Sequence, residues 1–330
     1  MQFTTKTTLP IGELEISHTS GIILLGSCFA NNIGNRLQER KFDIESNPFG
    51  VLYNPMSIAS ALRRCVLGEP FDTNSQELFE HNSKWHSIMH HSDFSGNSME
   101  EVIENINASL VRAHTMIKRC RYIVITFGTA YAYIRKADNT IVGNCHKLPA
   151  CEFERRLLDV DKIAEEFDSI INTLKEVNSN IRFIFTVSPI RHLRDGAHDN
   201  QKSKSTLLLA VDRILEKHGN CHYFPAYEIM LDELRDYRFY ADDMVHPSSM
   251  AIEYIWECFG NCYFSDTTQS LNKSIEEITK GMAHRPFDIS SPGYRSFITN
   301  LIQKIDKLTS AHHYLDFEKE TIQCNTILDR

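Results

Sequence analysis

The chain has no apolar run approaching the roughly 20 residues that a membrane-spanning helix requires. Its opening stretch, MQFTTKTTLPIGELEISH, lacks the charged start and apolar core of a secretory signal, so a cytoplasmic protein that does not enter a membrane is expected. Paired CxxC units are missing too. The nine cysteines, an odd number scattered from Cys28 to Cys324, read as reduced thiols and not as a disulfide framework or a zinc ribbon. Cys258 and Cys262 share a helix face by their i,i+4 spacing, and two buried thiols is the plain reading of that pair. An excess of basic charge is also lacking. A formal net charge of -8 and a pI near 6.0 argue against nucleic acid or an anionic membrane as the main partner, since phosphate arrays need a basic surface. A small-molecule or carbohydrate partner fits this balance, and no internal repeat or low-complexity tract points elsewhere.

What the chain does have is a 42% hydrophobic fraction over 330 residues, enough for a large core. Five short apolar runs read as strands: GIILLG (21–26), KFDIES (41–46), YIVITFG (122–128), IRFIFTVSP (181–189) and CHYFPAY (221–227). Runs apolar on both faces predict a parallel sheet covered by helices on both sides. Helical patterns lie between them: ANNIGNRLQER, MSIASALRRCVL, MEEVIENINASLVRAHTMIKRC, VDKIAEEFDSIINTLKEV and KSTLLLAVDRILEKHG. The alternation predicts an open α/β layer structure with right-handed crossovers. Beyond residue 247 only helical spacing remains, and HRPFDISSPGY (284–294) reads as a linker before a terminal helix.

Two adjacent residues, Ser27 and Cys28, follow the first strand and precede a helix whose apolar positions Phe29, Ile33 and Leu37 recur every four residues. A side chain there sits at the carboxyl edge of the sheet, where free N–H groups and the helix dipole favour a developing anion. Serine at such a position also serves as a plain N-cap. A second element gives the hydroxyl a partner. In FYADDMVHPSS, Asp243 lies three residues before His246, close enough to accept the Nδ1 proton and leave Nε2 to take a proton from a hydroxyl. A thiol is the better intrinsic nucleophile, and a helix N-terminus lowers its pKa, so Cys28 competes. Successive helical residues differ by about 100° in direction, so one of the two is expected to face the Asp243–His246 loop.

GSCFA at 26–30, NPFGVLYNP at 47–55, WHS at 85–87, NCHKLPA at 144–150, TVSPIRH at 186–192 and DxxHP at 243–247 resemble, in order, the motifs of the GSCFA family, a bacterial group related to the SGNH (GDSL-like) hydrolases. The resemblance spans residues 20–288. It implies a flavodoxin-like three-layer sandwich with a five-stranded parallel sheet of order 2-1-3-4-5, and a serine esterase or acyltransferase needing no cofactor. It puts Ser27 at the nucleophile's place and Asp243 and His246 at those of its triad partners, leaving Cys28 to pack as a small hydrophobe. The oxyanion hole it implies uses the N–H groups of Ser27 and Gly50. Where the superfamily has an asparagine after the third strand, this chain has Gly128, Thr129, Ala130 and Tyr131. Thr129 is the expected substitute donor, or Asn47 from the neighbouring loop. A chain without that donor also fits a binding module that retains the fold and lost efficient chemistry, because one oxyanion donor is typically worth about a hundredfold in rate.

The domain reading that follows is a GSCFA domain over 1–288 with an inserted loop at 68–97, and a helical extension over 289–330. Within the insertion, His81, His86, His90, His91 and Asp93 have ligand chemistry, but their spacing follows no standard metal site, and no metal is expected. Trp85 and His86 read as a substrate-lining flap, with Asn47 beside them. Arg191 and His192, just past the fourth strand, read as further lining, the arginine suited to a substrate carboxylate or phosphate. His146 and Lys147 read as polar loop residues. The stripe Phe297, Ile298, Leu301, Ile302, Ile305 and Leu308 packs either on its own domain or on a second copy of the chain, as a homo-oligomer.

Overall fold

The computed structural model describes residues 5–284, 286–288 and 291–329. Arg285, Ile289 and Ser290 of the expected linker lie outside them. The first half of the chain runs β1 (Ile22–Gly26), α1 (Cys28–Glu39), β2 (Ile44–Ser46), α2 (Pro55–Leu67), β3 (Leu78–His81), β4 (Lys84–Ser87), α3 (Met99–Ile117), β5 (Tyr122–Phe127), β6 (Tyr131–Arg135), β7 (Thr140–Val142) and β8 (Phe153–Leu157). The second half runs α4 (Val160–Val177), β9 (Arg182–Val187), α5 (Gly196–Lys217), β10 (Cys221–Tyr223), the single turn α6 (Ala226–Glu228), α7 (Ser249–Tyr263), α8 (Asp266–Ala283), α9 (Pro292–Ala311) and α10 (Glu318–Leu328).

Five strands make one all-parallel sheet in the order β2-β1-β5-β9-β10. Strand side chains alternate between its faces, as a period of two requires. Ile23, Leu25, Ile123, Ile125, Phe127, Phe183 and Phe185 join one buried cluster with residues of α2 to α5. Ile22, Leu24, Tyr122, Val124 and Ile184 join the other, with residues of α1 and α7. Helices therefore cover both faces, which is why β1, β5 and β9 carry buried apolar residues on both sides.

The other five strands lie outside this sheet, where the sequence predicts loops. β3 and β4 form an antiparallel hairpin within the 68–97 insertion, and β6, β7 and β8 form a three-stranded antiparallel sheet over 131–157. α5 also differs: it begins at Gly196, eight residues before the apolar pattern that predicts it at Lys204. Its first turns bury polar residues, Asn200, Ser203 and Lys204, which hydrophobic spacing does not register.

The C-terminal stripe is taken up by its own chain. Ile305 packs against Leu271, Ile275 and Ile278 of α8, while Ile298 and Leu301 meet Cys324 of α10. Lys41 ties this bundle to the main body, pairing with Glu320 at 2.6 Å and lying over the Phe317 ring. Of the two fates the stripe allows, packing on its own chain accounts for Ile298, Leu301 and Ile305, while Phe297 stays partly exposed. Cys258 and Cys262, both on α7, are buried.

Candidate active site

Gly26 ends β1 with φ +139°, and a Cβ there would stand 2.1 Å from the Thr126 carbonyl oxygen of β5, so only glycine fits. The next residue, Ser27, caps α1, its Oγ accepting from Phe29 N–H at 3.4 Å. Ser27 is 1% exposed, but its side lies on a cavity of about 660 Å³ at the carboxyl edge of the sheet, the edge where α/β proteins place their ligands. The same cavity is lined by Asp243 and His246.

The loop carrying that pair is pinned from several sides. Ala241 N–H donates to the His246 carbonyl at 2.7 Å, Met244 N–H donates to Ala241, and Ser248 caps α7 immediately beyond Pro247. Asp243 Oδ1 accepts the Val245 and His246 N–H groups at 2.9 Å, and Oδ2 stands 2.6 Å from His246 Nδ1. The His246 N–H and ring, then the Val245 N–H, hold the Asp243 carboxyl down at a pKa of about 2. With Nδ1 spent on the carboxylate, Nε2 is left as the acceptor, and among the described residues it makes no hydrogen bond. Ser27 Oγ and His246 are not hydrogen-bonded to one another either. The structure brings the three residues to one cavity without closing the serine–histidine contact.

The expected oxyanion donors are engaged elsewhere. Ser27 N–H donates to Thr126 O at 3.3 Å, Gly50 N–H to Asn47 O at 2.7 Å, and both Gly128 and Thr129 N–H to Tyr53 O, at 2.8 and 3.0 Å. Gly50 is a turn residue: its φ is +72°, and a Cβ would stand 2.3 Å from His91 Cβ. Thr129 lines the cavity, but its hydroxyl accepts from Tyr131 N–H and pairs with Ser203 Oγ at 3.0 Å. Two other residues of the cavity wall carry an uncommitted donor. Cys28 N–H, first of α1, has no hydrogen-bond partner among the described residues, as expected at a helix start. Asn54, N-cap of α2, uses one amide proton on Ser57 Oγ and keeps the second.

Of the expected lining residues, Arg191 and His192 are in the cavity wall; Asn47, Trp85 and His86 are not. Asn47 is a bracket, accepting from Gly26 N–H at 2.8 Å and donating to Asn31 at 2.5 Å. Trp85 packs against the core beneath β4, and His86 is pinned between Ser95 Oγ and the His81 carbonyl. His90 stacks on Phe49 with its Nδ1 on Ser87 Oγ, and His146 is buried with Nε2 at 2.8 Å from the Ser87 carbonyl. These histidines hold the hairpin to the body. Among the described residues, no three His, Cys, Asp or Glu side chains are grouped to hold a metal. Cys28 departs from the expectation that it packs away from the cleft. It lines the cavity beside Ser27, its Sγ 3.5 Å from the Tyr53 hydroxyl.

The cavity also takes residues the sequence did not single out: Tyr53, Asn54, Tyr131, Tyr133, Arg155 and Arg194. In β6, YAYIR, Tyr131 and Tyr133 share one face and the buried Ala132 and Ile134 the other. That period of two was the available signal. Beneath the floor lies Lys204, fully buried, donating to the Gly128 and Ser188 carbonyls at 2.7 and 2.8 Å. Burial without a carboxylate partner lowers its pKa to about 7. The neighbouring His192, its N–H held by Asn200, is kept neutral: burial, then the Lys204 charge, lowers its pKa to about 4.

A parallel-sheet α/β protein whose cavity gathers a helix-capping serine from the end of β1 and an aspartate–histidine pair from the loop before α7 is the class these observations define. The chain belongs to the GSCFA family: the family's model matches residues 21–259. A second model, described as the GSCFA domain protein C-terminal domain, matches residues 275–330, from within α8 to the end. No curated protein matches the chain. Among the described residues, no helix is long and apolar enough to cross a membrane.

Proposed function

We propose that this chain is a serine-dependent ester hydrolase or O-acyltransferase of SGNH type, acting in the cytoplasm on an acylated sugar or another small ester. The observation that carries the reading is the meeting of Ser27, Asp243 and His246 on one cavity, with Nδ1 of the histidine committed to the aspartate and Nε2 unpartnered. Closing the serine–histidine contact is left to substrate binding, since catalytic hydrogen bonds are often long before the substrate is in place.

Ser27 Oγ attacks the ester carbonyl as His246 Nε2 takes its proton. The imidazolium returns that proton to the departing alkoxide, leaving an acyl-serine and the free alcohol. Water, or a second hydroxyl in the transfer reaction, then attacks the acyl group while His246 takes and returns its proton, restoring Ser27. Asp243 keeps the tautomer and steadies the imidazolium. Cys28 N–H and the free Asn54 amide proton serve the oxyanion in place of the engaged backbone groups.

The engaged state of the Gly50, Gly128 and Thr129 N–H groups favours a second reading, an ester- or carbohydrate-binding module with weak chemistry. A panel of acyl esters assayed with wild type and Ser27→Ala separates the two. Hydrolysis that disappears with the hydroxyl supports the enzyme; equal rates sink it.

A further inference from the structure

The molecule carries a net charge of -8, yet its cavity is lined by three guanidiniums, Arg155, Arg191 and Arg194, against two carboxylates. Both carboxylates are spent. Asp195 pairs with Arg155 at 2.5 Å, and Asp243 with His246 at 2.6 Å. Arg191 and Arg194 form no ion pair among the described residues. Both come from the turn after β9, held by the bond from His192 N–H to Asn200 Oδ1 at 2.8 Å. The Arg194 charge is felt at Cys145, which lines the same cavity. The Arg155 guanidinium carbon stands over the Tyr131 ring, 3.8 Å from its centroid, so the site has a cation beside an aromatic surface. Arg191 is half-buried and Arg194 exposed at the rim, and unpaired guanidiniums so placed are suited to forked hydrogen bonds with a carboxylate or phosphate.

We propose that the ester bound here is anionic, its carboxylate or phosphate held by Arg191 and Arg194 while the reacting carbonyl lies at Ser27. This rests on the hydrolase reading for the reacting bond, but not for the binding of the anion. The test uses isosteric pairs: 4-acetoxybenzoate against 4-acetoxybenzamide for an anion on the alcohol side, and the 4-nitrophenyl monoester of adipic acid against its monoamide for one on the acyl side. Wild type should favour the carboxylate of at least one pair about tenfold to a hundredfold in kcat/KM, a preference that shrinks with added salt. In the Arg191→Gln, Arg194→Gln double variant that ratio should fall toward one. Equal rates within both pairs, or a preference that survives the double variant, overturn the proposal. If no ester is turned over, thermal stabilisation by 4-acetamidobenzoate and by adipate, each against its neutral amide, reads binding alone. Arginine-dependent stabilisation by a carboxylate then keeps the anion site while the hydrolase reading falls, and equal response to acid and amide in both pairs removes the site.

Discussion

Two aspartate–histidine pairs sit at opposite edges of the same sheet. In the loop before α7, Asp243 Oδ2 meets His246 Nδ1 at 2.6 Å; between α4 and the end of α5, Asp168 Oδ1 meets His218 Nε2 at 2.8 Å. The distances are alike, and the difference lies in the other ring nitrogen. His218 Nδ1 faces the Lys175 ammonium at 3.4 Å, and the residue is buried just ahead of β10, at the amino edge, with no part in the cavity. His246 keeps Nε2 unpartnered on the cavity that holds Ser27. An oriented imidazole becomes a general base only when its second nitrogen is available to a reacting hydroxyl.

Removing the hydroxyl is the strongest way to break this comparison. With an ester the chain hydrolyses, Ser27→Ala should lower kcat about 10⁴-fold and His246→Ala about 10³-fold. Asp243→Asn should cost about a hundredfold, less than for a buried triad aspartate because this pair is half exposed. Asp168→Asn should leave kcat and KM unchanged. Matched losses from the two aspartates would mean that the cavity does not distinguish the pairs.

The same division between fold and cleft applies to Gly50. Gly50→Ala places a Cβ against His91 at a backbone angle that disfavours side chains, and should cost about 2–3 kcal/mol of stability in denaturant titration. The kcat of the remaining folded protein should hold. A large loss of kcat at unchanged stability would restore Gly50 to the oxyanion site.

A smaller effect comes from the buried histidines, one of which, His192, lines the cavity. Burial lowers the pKa values of His18, His146 and His192 to about 4 and of His90 to about 3, from an ordinary 6.5. The unfolded chain therefore binds more protons than the folded one below pH 6.5. The stability that comes from keeping these rings neutral is present above that pH and is lost as pH falls toward 4. Melting curves across this window should show Tm declining with acid. His90→Phe should make the decline shallower, whatever it does to Tm at neutral pH, and an unchanged slope would exclude His90 from the effect.

The parts of the fold legible in sequence are those where one period dominates. The central strands β1, β5 and β9 are largely apolar on both faces because helices cover both, and α1 announces itself through Phe29, Ile33 and Leu37. The first turns of α5 were not legible because their buried face is polar. Asn200, Ser203 and Lys204 hold the His192, Ala130, Gly128 and Ser188 backbone beneath the cavity. Hydrophobic periodicity fails where the helix serves the cleft, as expected where site geometry overrides core packing. The positions of Ser27, Asp243 and His246 on the cavity were legible because each lies beside a helix start or in a tight turn. The states of the Gly50, Gly128 and Thr129 N–H groups were not, since they depend on Asn47 and on the Tyr53 carbonyl, contacts no local spacing encodes. The histidine-rich hairpin misled for a related reason: polar residues in a surface insertion read as a flap until their partners, Ser95, Ser87 and the His81 carbonyl, are seen.

Ser27 and Cys28 both line the cavity, so the central claim rests on which of them is the nucleophile. A fluorophosphonate probe, followed by intact mass and peptide mapping, reads this directly. One adduct on Ser27, absent in Ser27→Ala, strongly slowed in His246→Ala and retained in Cys28→Ala, is the predicted result. Modification at Cys28, or an inert Ser27 under conditions that label a control serine hydrolase, would contradict it.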